Sequence, residues 1–128
     1  MTDGIRSYRD LLVWRKAMDW AEGIYEATSH WPRDERFGLI SQISQIRRAA
    51  VSVASNIAEG AARRSTGEFM QFLGMSRGSL AEAETQLLLA ERLGYLPGSD
   101  AGALLGAAEE ISRMLVALNI SLKAKQVR

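Results

Sequence analysis

The sequence predicts an all-α fold, an antiparallel up-down-up-down four-helix bundle. Three observations carry this. Apolar residues recur at helical spacing through four long segments. The connections between those segments are a few residues long, which makes neighbouring helices antiparallel. No run of alternating apolar and polar residues competes as a strand.

Residues 1–9 are polar and mixed, and a loosely ordered start is expected there. The first helix is predicted over Asp10–Ser29. Leu11, Trp14, Met18, Ala21 and Tyr25 recur at steps of three and four, and Val13, Ala17, Trp20 and Ile24 form a second stripe beside them. Together they make an apolar face wider than one neighbouring helix needs. Trp31-Pro32 interrupts, because the residue before proline disfavours the helical region.

The second helix is predicted from Arg33 to Ala62. Leu39, Ile43, Ile46, Ala50, Val53 and Ile57 alternate steps of four and three, a heptad-like seam. Gly60 and the polar run Arg63-Arg64-Ser65-Thr66 are expected to close it. Ser65 followed by Glu68 fits a capping box, in which each side chain bonds the other residue's free backbone N–H. The third helix is predicted over Thr66–Leu93, with Phe69, Leu73, Ser76, Leu80, Ala83, Leu87 and Ala90 as its seam. Gly94 stops it, and Pro97-Gly98-Ser99-Asp100 starts the next. In the fourth helix Leu104, Ala108, Ile111, Leu115, Leu118 and Leu122 repeat the same spacing. Lys123, Lys125 and Arg128 stand where cations favour a helix C-terminus. A single domain over 1–128 follows, since no linker or tandem repeat divides the chain.

Composition removes most chemistry. The chain has 128 residues, no cysteine and one histidine, His30. Thiolate zinc sites, iron–sulfur clusters, cysteine nucleophiles and disulfides are excluded. A di-iron bundle needs Glu-x-x-His on two helices, and none occurs here. Neither phosphate-loop nor dinucleotide glycine pattern is present. No metal, cofactor or catalytic residue is therefore expected, and His30 is assigned to a helix end. The Asn119-Ile120-Ser121 sequon lies in a predicted helix and is taken as chance. No apolar segment suits secretion or membrane crossing, so a cytoplasmic protein without a membrane partner is expected.

Two features are not bland. Arg48, Ser52, Ser55, Asn56, Glu59 and Arg63 fall close to one face of the second helix, although Ser and Asn are poor interior helix residues. Ser79, Glu82 and Gln86 share a face of the third. A polar network or interface through Ser52, Ser55, Asn56, Glu59, Ser79 and Glu82 is one reading, and direct ligand contact is the other. The second feature is charge. Net charge is +1, but the segment from Arg47 to Arg77 holds five Arg against two Glu, a local +3. Arg47, Arg48, Arg63, Arg64 and Arg77 are thus candidate nucleic-acid contacts, able to release counterions from phosphates. A solvated surface with internal salt bridges is the alternative.

Several segments carry a family resemblance. They are Leu12-Val13-Trp14 with Ala17, Phe37-Gly38-Leu39 with Gln42 and Ile43, and the run from Ile46-Arg47-Arg48-Ala49-Ala50-Val51-Ser52 to Asn56-Ile57-Ala58-Glu59-Gly60. Further on come Glu68-Phe69, Phe72-Leu73, Gly78-Ser79-Leu80, Glu82, Glu84 and Leu93-Gly94-Tyr95-Leu96. Over roughly residues 8–122 the chain resembles the 23S rRNA-intervening-sequence proteins. The resemblance implies an antiparallel four-helix bundle, a homo-oligomer in the form of a pentameric ring, and no established enzymatic activity. It also implies a relation to accessory proteins of diversity-generating retroelements, basic barrels that bind nucleic acid and a reverse transcriptase. The near-neutral charge departs from that branch, although a ring would repeat the local Arg cluster five times. The leading expectation is a non-catalytic oligomeric bundle that binds RNA, DNA or a ribonucleoprotein partner. The alternative is a protein-interaction scaffold without nucleic acid, in which Arg47, Arg48 and Glu59 serve the subunit interface or the core.

Overall fold

A computed structural model describes residues 7–32 and 41–126, and these are helical nearly throughout, with no strand among them. A single 3-10 turn, Tyr8–Asp10, precedes four α-helices: α1 (Leu12–Thr28), α2 (Gln42–Ala61), α3 (Thr66–Arg92) and α4 (Gly98–Gln126). α2 packs against α1 and α3, and α4 against α3 and α1. The four helices therefore close into a square in chain order, the up-down-up-down bundle.

The predicted seams form the core. All seven seam residues of α3 are buried. In α2 the buried set is Ile43, Ile46, Ala50, Val53 and Ile57, joined by Ala49, Ala54 and Gly60. α4 buries Ala101, Ala108, Ile111 and Leu115, with Leu104, Leu118 and Leu122 packed at the edge. In α1 the second predicted stripe, Val13, Ala17, Trp20 and Ile24, is buried. The first is divided: Leu11 and Ala21 are buried, whereas Met18 and Tyr25 remain 45% and 44% exposed. The Trp20 indole N–H donates to the Leu104 carbonyl at 3.0 Å, which fixes α1 to α4.

Several boundaries differ from the sequence expectation. The chain start is partly ordered, because Ser7 and Asp10 cap each other across the 3-10 turn; residues 1–6 lie outside the described residues. α1 starts at Leu12, two residues late, for that reason. A continuous helix from Arg33 does not form: Ser41 has extended backbone and caps α2, accepting from Ser44 N–H at 3.4 Å. Residues 33–40, including seam residue Leu39 and the Phe37-Gly38 motif, lie outside the described residues, as does Arg128. Gly60 does not end α2. It lies inside the helix, buried, where an added Cβ would stand 2.8 Å from Phe72 Cβ and 2.9 Å from Phe69 Cδ1. Its missing side chain permits close approach of α3. The Ser65 cap is half of the predicted box. Ser65 Oγ accepts from Glu68 N–H at 3.1 Å, but the Glu68 carboxylate accepts from the Ser65 hydroxyl instead of the backbone. Gly94 does end α3, at φ +78°, a region glycine enters without steric cost. Tyr95 N–H donates to Ala90 O and Gly94 N–H to Glu91 O, a Schellman closure.

Candidate functional site

The polar strip spans the α2–α3 contact, the arginines lie along α2, its exit and α3, and the structure treats the two sets differently. On the α3 side, Ser52 Oγ and Ser79 Oγ are 2.8 Å apart, and Asn56 Nδ2 donates to both the Oγ and the carbonyl of Ser52 at 2.9 Å. One turn away the fully buried Ser76 donates to the Val53 carbonyl at 2.8 Å. Three predicted members, Ser52, Asn56 and Ser79, thus form one cross-helix network. Ser76, placed by its spacing in the apolar seam, extends the polar linkage into the core. Ser55, Glu59 and Glu82 are exposed, and their side chains make no hydrogen bond or ion pair among the described residues. The network is internal, since both partners of each bond lie within the bundle. It fixes the register of α2 on α3.

The five arginines do not share one surface. Arg47 turns inward to the C-terminus of α1. Its Nε donates to Thr28 Oγ1 at 2.8 Å and one Nη to the Tyr25 carbonyl at 3.2 Å, with the guanidinium 4.5 Å over the Tyr25 ring. Thr28 in turn donates to the Ile24 carbonyl at 2.8 Å. Arg47 therefore completes the last turn of α1, where a cation also suits the helix dipole. Arg48 is exposed beside it. Arg63 and Arg64 lie about 22 Å further along α2 and its exit, fifteen residues at 1.5 Å rise. Arg63 stacks over Phe72 at 4.8 Å, and Arg77 is exposed along α3. Among the described residues Arg48, Arg64 and Arg77 make no hydrogen bond, ion pair or ring contact. The alternative of internal salt bridges is not met at these three among the described residues; an ion pair elsewhere joins Lys16 to Glu110 at 2.7 Å, between α1 and α4.

Two of the concave surfaces bear on function. A groove of about 660 Å³ runs outside the α1–α2 junction, lined by Trp14, Met18, Tyr25, Val51 and Ala58 among others. It is the uncovered part of the wide apolar face of α1. The other is a crevice of about 150 Å³ at the bundle end where α2 and α4 finish and α3 begins. Arg63, Arg64 and Thr66 line it from the α2–α3 turn, and Ser121 and Lys125 from α4. Lys125 and Ser121 were not candidates from sequence. The antiparallel topology was the signal that could have found them, since it places the ends of the second and fourth helices together.

No helix among the described residues is long and apolar enough to cross a membrane. The pattern of the family described as 23S rRNA-intervening sequence protein matches residues 9–117. No curated protein matches the sequence. Among solved structures, the chain is similar to a protein of unknown function from the S23 ribosomal protein family of Bacteroides thetaiotaomicron. The identity is 22% and the TM-score 0.73, over 84% of this chain and 98% of that one. That likeness supports the fold.

Proposed function

The chain belongs to the 23S rRNA-intervening sequence protein family, and from that premise we propose a non-catalytic, oligomeric bundle that binds structured RNA or DNA, or a ribonucleoprotein partner, through repeated arginines. The supporting observation is the set Arg48, Arg64 and Arg77, exposed and without acidic partners among the described residues. Cations that cross-link nothing in the fold remain available for phosphates, and an oligomer would multiply them. Arg47 drops out of the contact set because α1 already holds it. The pentameric ring and the relation to retroelement accessory proteins are part of this proposal. Binding of structured RNA should weaken steeply with salt, and Arg48→Ala with Arg77→Ala should reduce the salt slope by about one per lost phosphate contact. Absence of binding at about 50 mM salt, where phosphate contacts are strongest, overturns the reading.

A second reading, a scaffold for protein partners alone, is favoured by the apolar groove between α1 and α2. Under it, substitutions in the groove and Arg48→Ala change the assembly, whereas Arg63→Ala does not.

A further inference from the structure

We infer that the crevice at the end of the bundle is a binding site for a phosphate monoester, such as the terminal phosphate of a polynucleotide. Three cations from two separate segments meet there: Arg63 and Arg64 from the α2–α3 turn, and Lys125 from the last turn of α4. Thr66 and Ser121 add hydroxyl donors, and among the described residues no carboxylate lines the crevice. Neither Arg64 nor Lys125 has an acidic partner among the described residues. Three like charges around one cavity repel one another, and an anion between them relieves that repulsion. The Arg63 guanidinium stacks 4.8 Å over the Phe72 ring beside the crevice, and its N–H donors hold no hydrogen bond among the described residues. The amides of the first turn of α3 add to this field; they do not define the site without the cations.

The size and shape select the kind of phosphate. The crevice is narrow, about 150 Å³, with Leu118 and Phe69 in its walls. A group attached through one ester oxygen can enter and leave by the same opening. An internal phosphodiester has two chains to accommodate. A monoester also carries close to two negative charges at neutral pH, against one for a diester, and so satisfies more of the three cations. Arg suits the planar, two-pronged contact with phosphate oxygens, and Lys supplies a point charge. The inference deepens the nucleic-acid reading but does not need it, because a phosphate monoester can be tested by itself.

The test pairs two RNAs of one sequence, one with a 5′-phosphate and one with a 5′-hydroxyl, against the full chain at fixed salt. The phosphorylated RNA should bind about tenfold more tightly, the difference expected from one or two charge-assisted contacts. Arg64→Ala with Lys125→Ala should erase that difference. Both residues are exposed, so the variant should keep its helical circular dichroism. Equal binding of the two RNAs, or a difference that survives in the double variant, overturns the inference. Should neither RNA bind, the nucleic-acid proposal fails, and inorganic phosphate decides the site. Titrated against chloride at matched ionic strength, phosphate should shift the NMR signals of the Thr66 amide and the Arg64 and Lys125 side chains. No shift there overturns the site as well.

Discussion

The two flanks of α2 solve opposite problems. Towards α3 the helix carries Gly60, Ala49, Ser52 and Asn56, small or short polar residues. The backbones come close enough for Ser52 to meet Ser79 and for Ser76 to reach the Val53 carbonyl. Towards α1 the helix carries Val51 and Ala54, and α1 carries Trp14, Met18 and Tyr25. These bulky groups sit on the rim and hold an open groove of about 660 Å³. One end of that flank is secured by the Arg47 clamp. The contrast teaches that polar residues at one face of a helix need not mark a ligand, and that apolar residues at another need not mark a core.

The largest test of this contrast is Gly60→Ala. The new methyl would overlap Phe69 and Phe72. Overpacking costs about 1–3 kcal/mol, offset by about 1 kcal/mol from the better helix propensity of Ala, so a net loss of up to about 2 kcal/mol is expected in urea denaturation. Gly78→Ala on the same helix pair meets nothing within 4 Å and should instead stabilise by about 0.5–1 kcal/mol. Equal effects at the two glycines would dissolve the close-approach account. Next in size is Arg47→Ala, which removes two hydrogen bonds and a ring contact from the end of α1. A loss of about 1.5 kcal/mol is expected. Arg47→Lys should recover little of it, because the fork and the stacking are lost.

The groove predicts a small effect on folding and a large one on assembly. Met18→Ser with Val51→Ser should leave stability within about 0.5 kcal/mol per site, as for other exposed positions. Sedimentation should show a smaller particle if this face is covered by another chain. An unchanged particle places the subunit contact elsewhere. The smallest effect concerns the far side of the bundle. Burial, and then the neighbouring Glu109, raise the Glu84 carboxyl above its ordinary range. An acid raised on folding destabilises once ionised, so the penalty grows as pH rises through that raised value and vanishes well below the ordinary one. Glu84→Gln should stabilise at pH 7 by less than about 0.5 kcal/mol, allowing for solvent screening, and not at all near pH 3. Glu110 has the opposite sign. The Lys16 hydrogen bond lowers it, so its contribution is present above the ordinary carboxylate range and lost as pH falls through the lowered value.

Much of the fold was legible because helical periodicity is a local property. The α3 seam from Phe69 to Ala90 was named residue for residue, and Gly94 was placed as the stop. The site was less legible. Nothing local distinguishes Arg47, which turns to Thr28 nineteen positions earlier, from Arg48, which faces solvent. They differ by about 100° around the helix, and that angle acquires meaning only when α1 lies on one side. Gly60 likewise resembled a terminator because glycine commonly is one; the proximity of Phe69 and Phe72 gives it a different task.

The sequence by itself determined that this protein is a four-helix bundle with no thiol chemistry, and which residues form most of its core. Those properties depend on residue type and on spacing within single segments. Only the tertiary structure decided which arginines are held internally, which polar residues pair across helices, and that Lys125 meets Arg63 and Arg64 at one end. These outcomes depend on distances between segments far apart in the chain. Packing sets such distances, and spacing within a segment does not contain them.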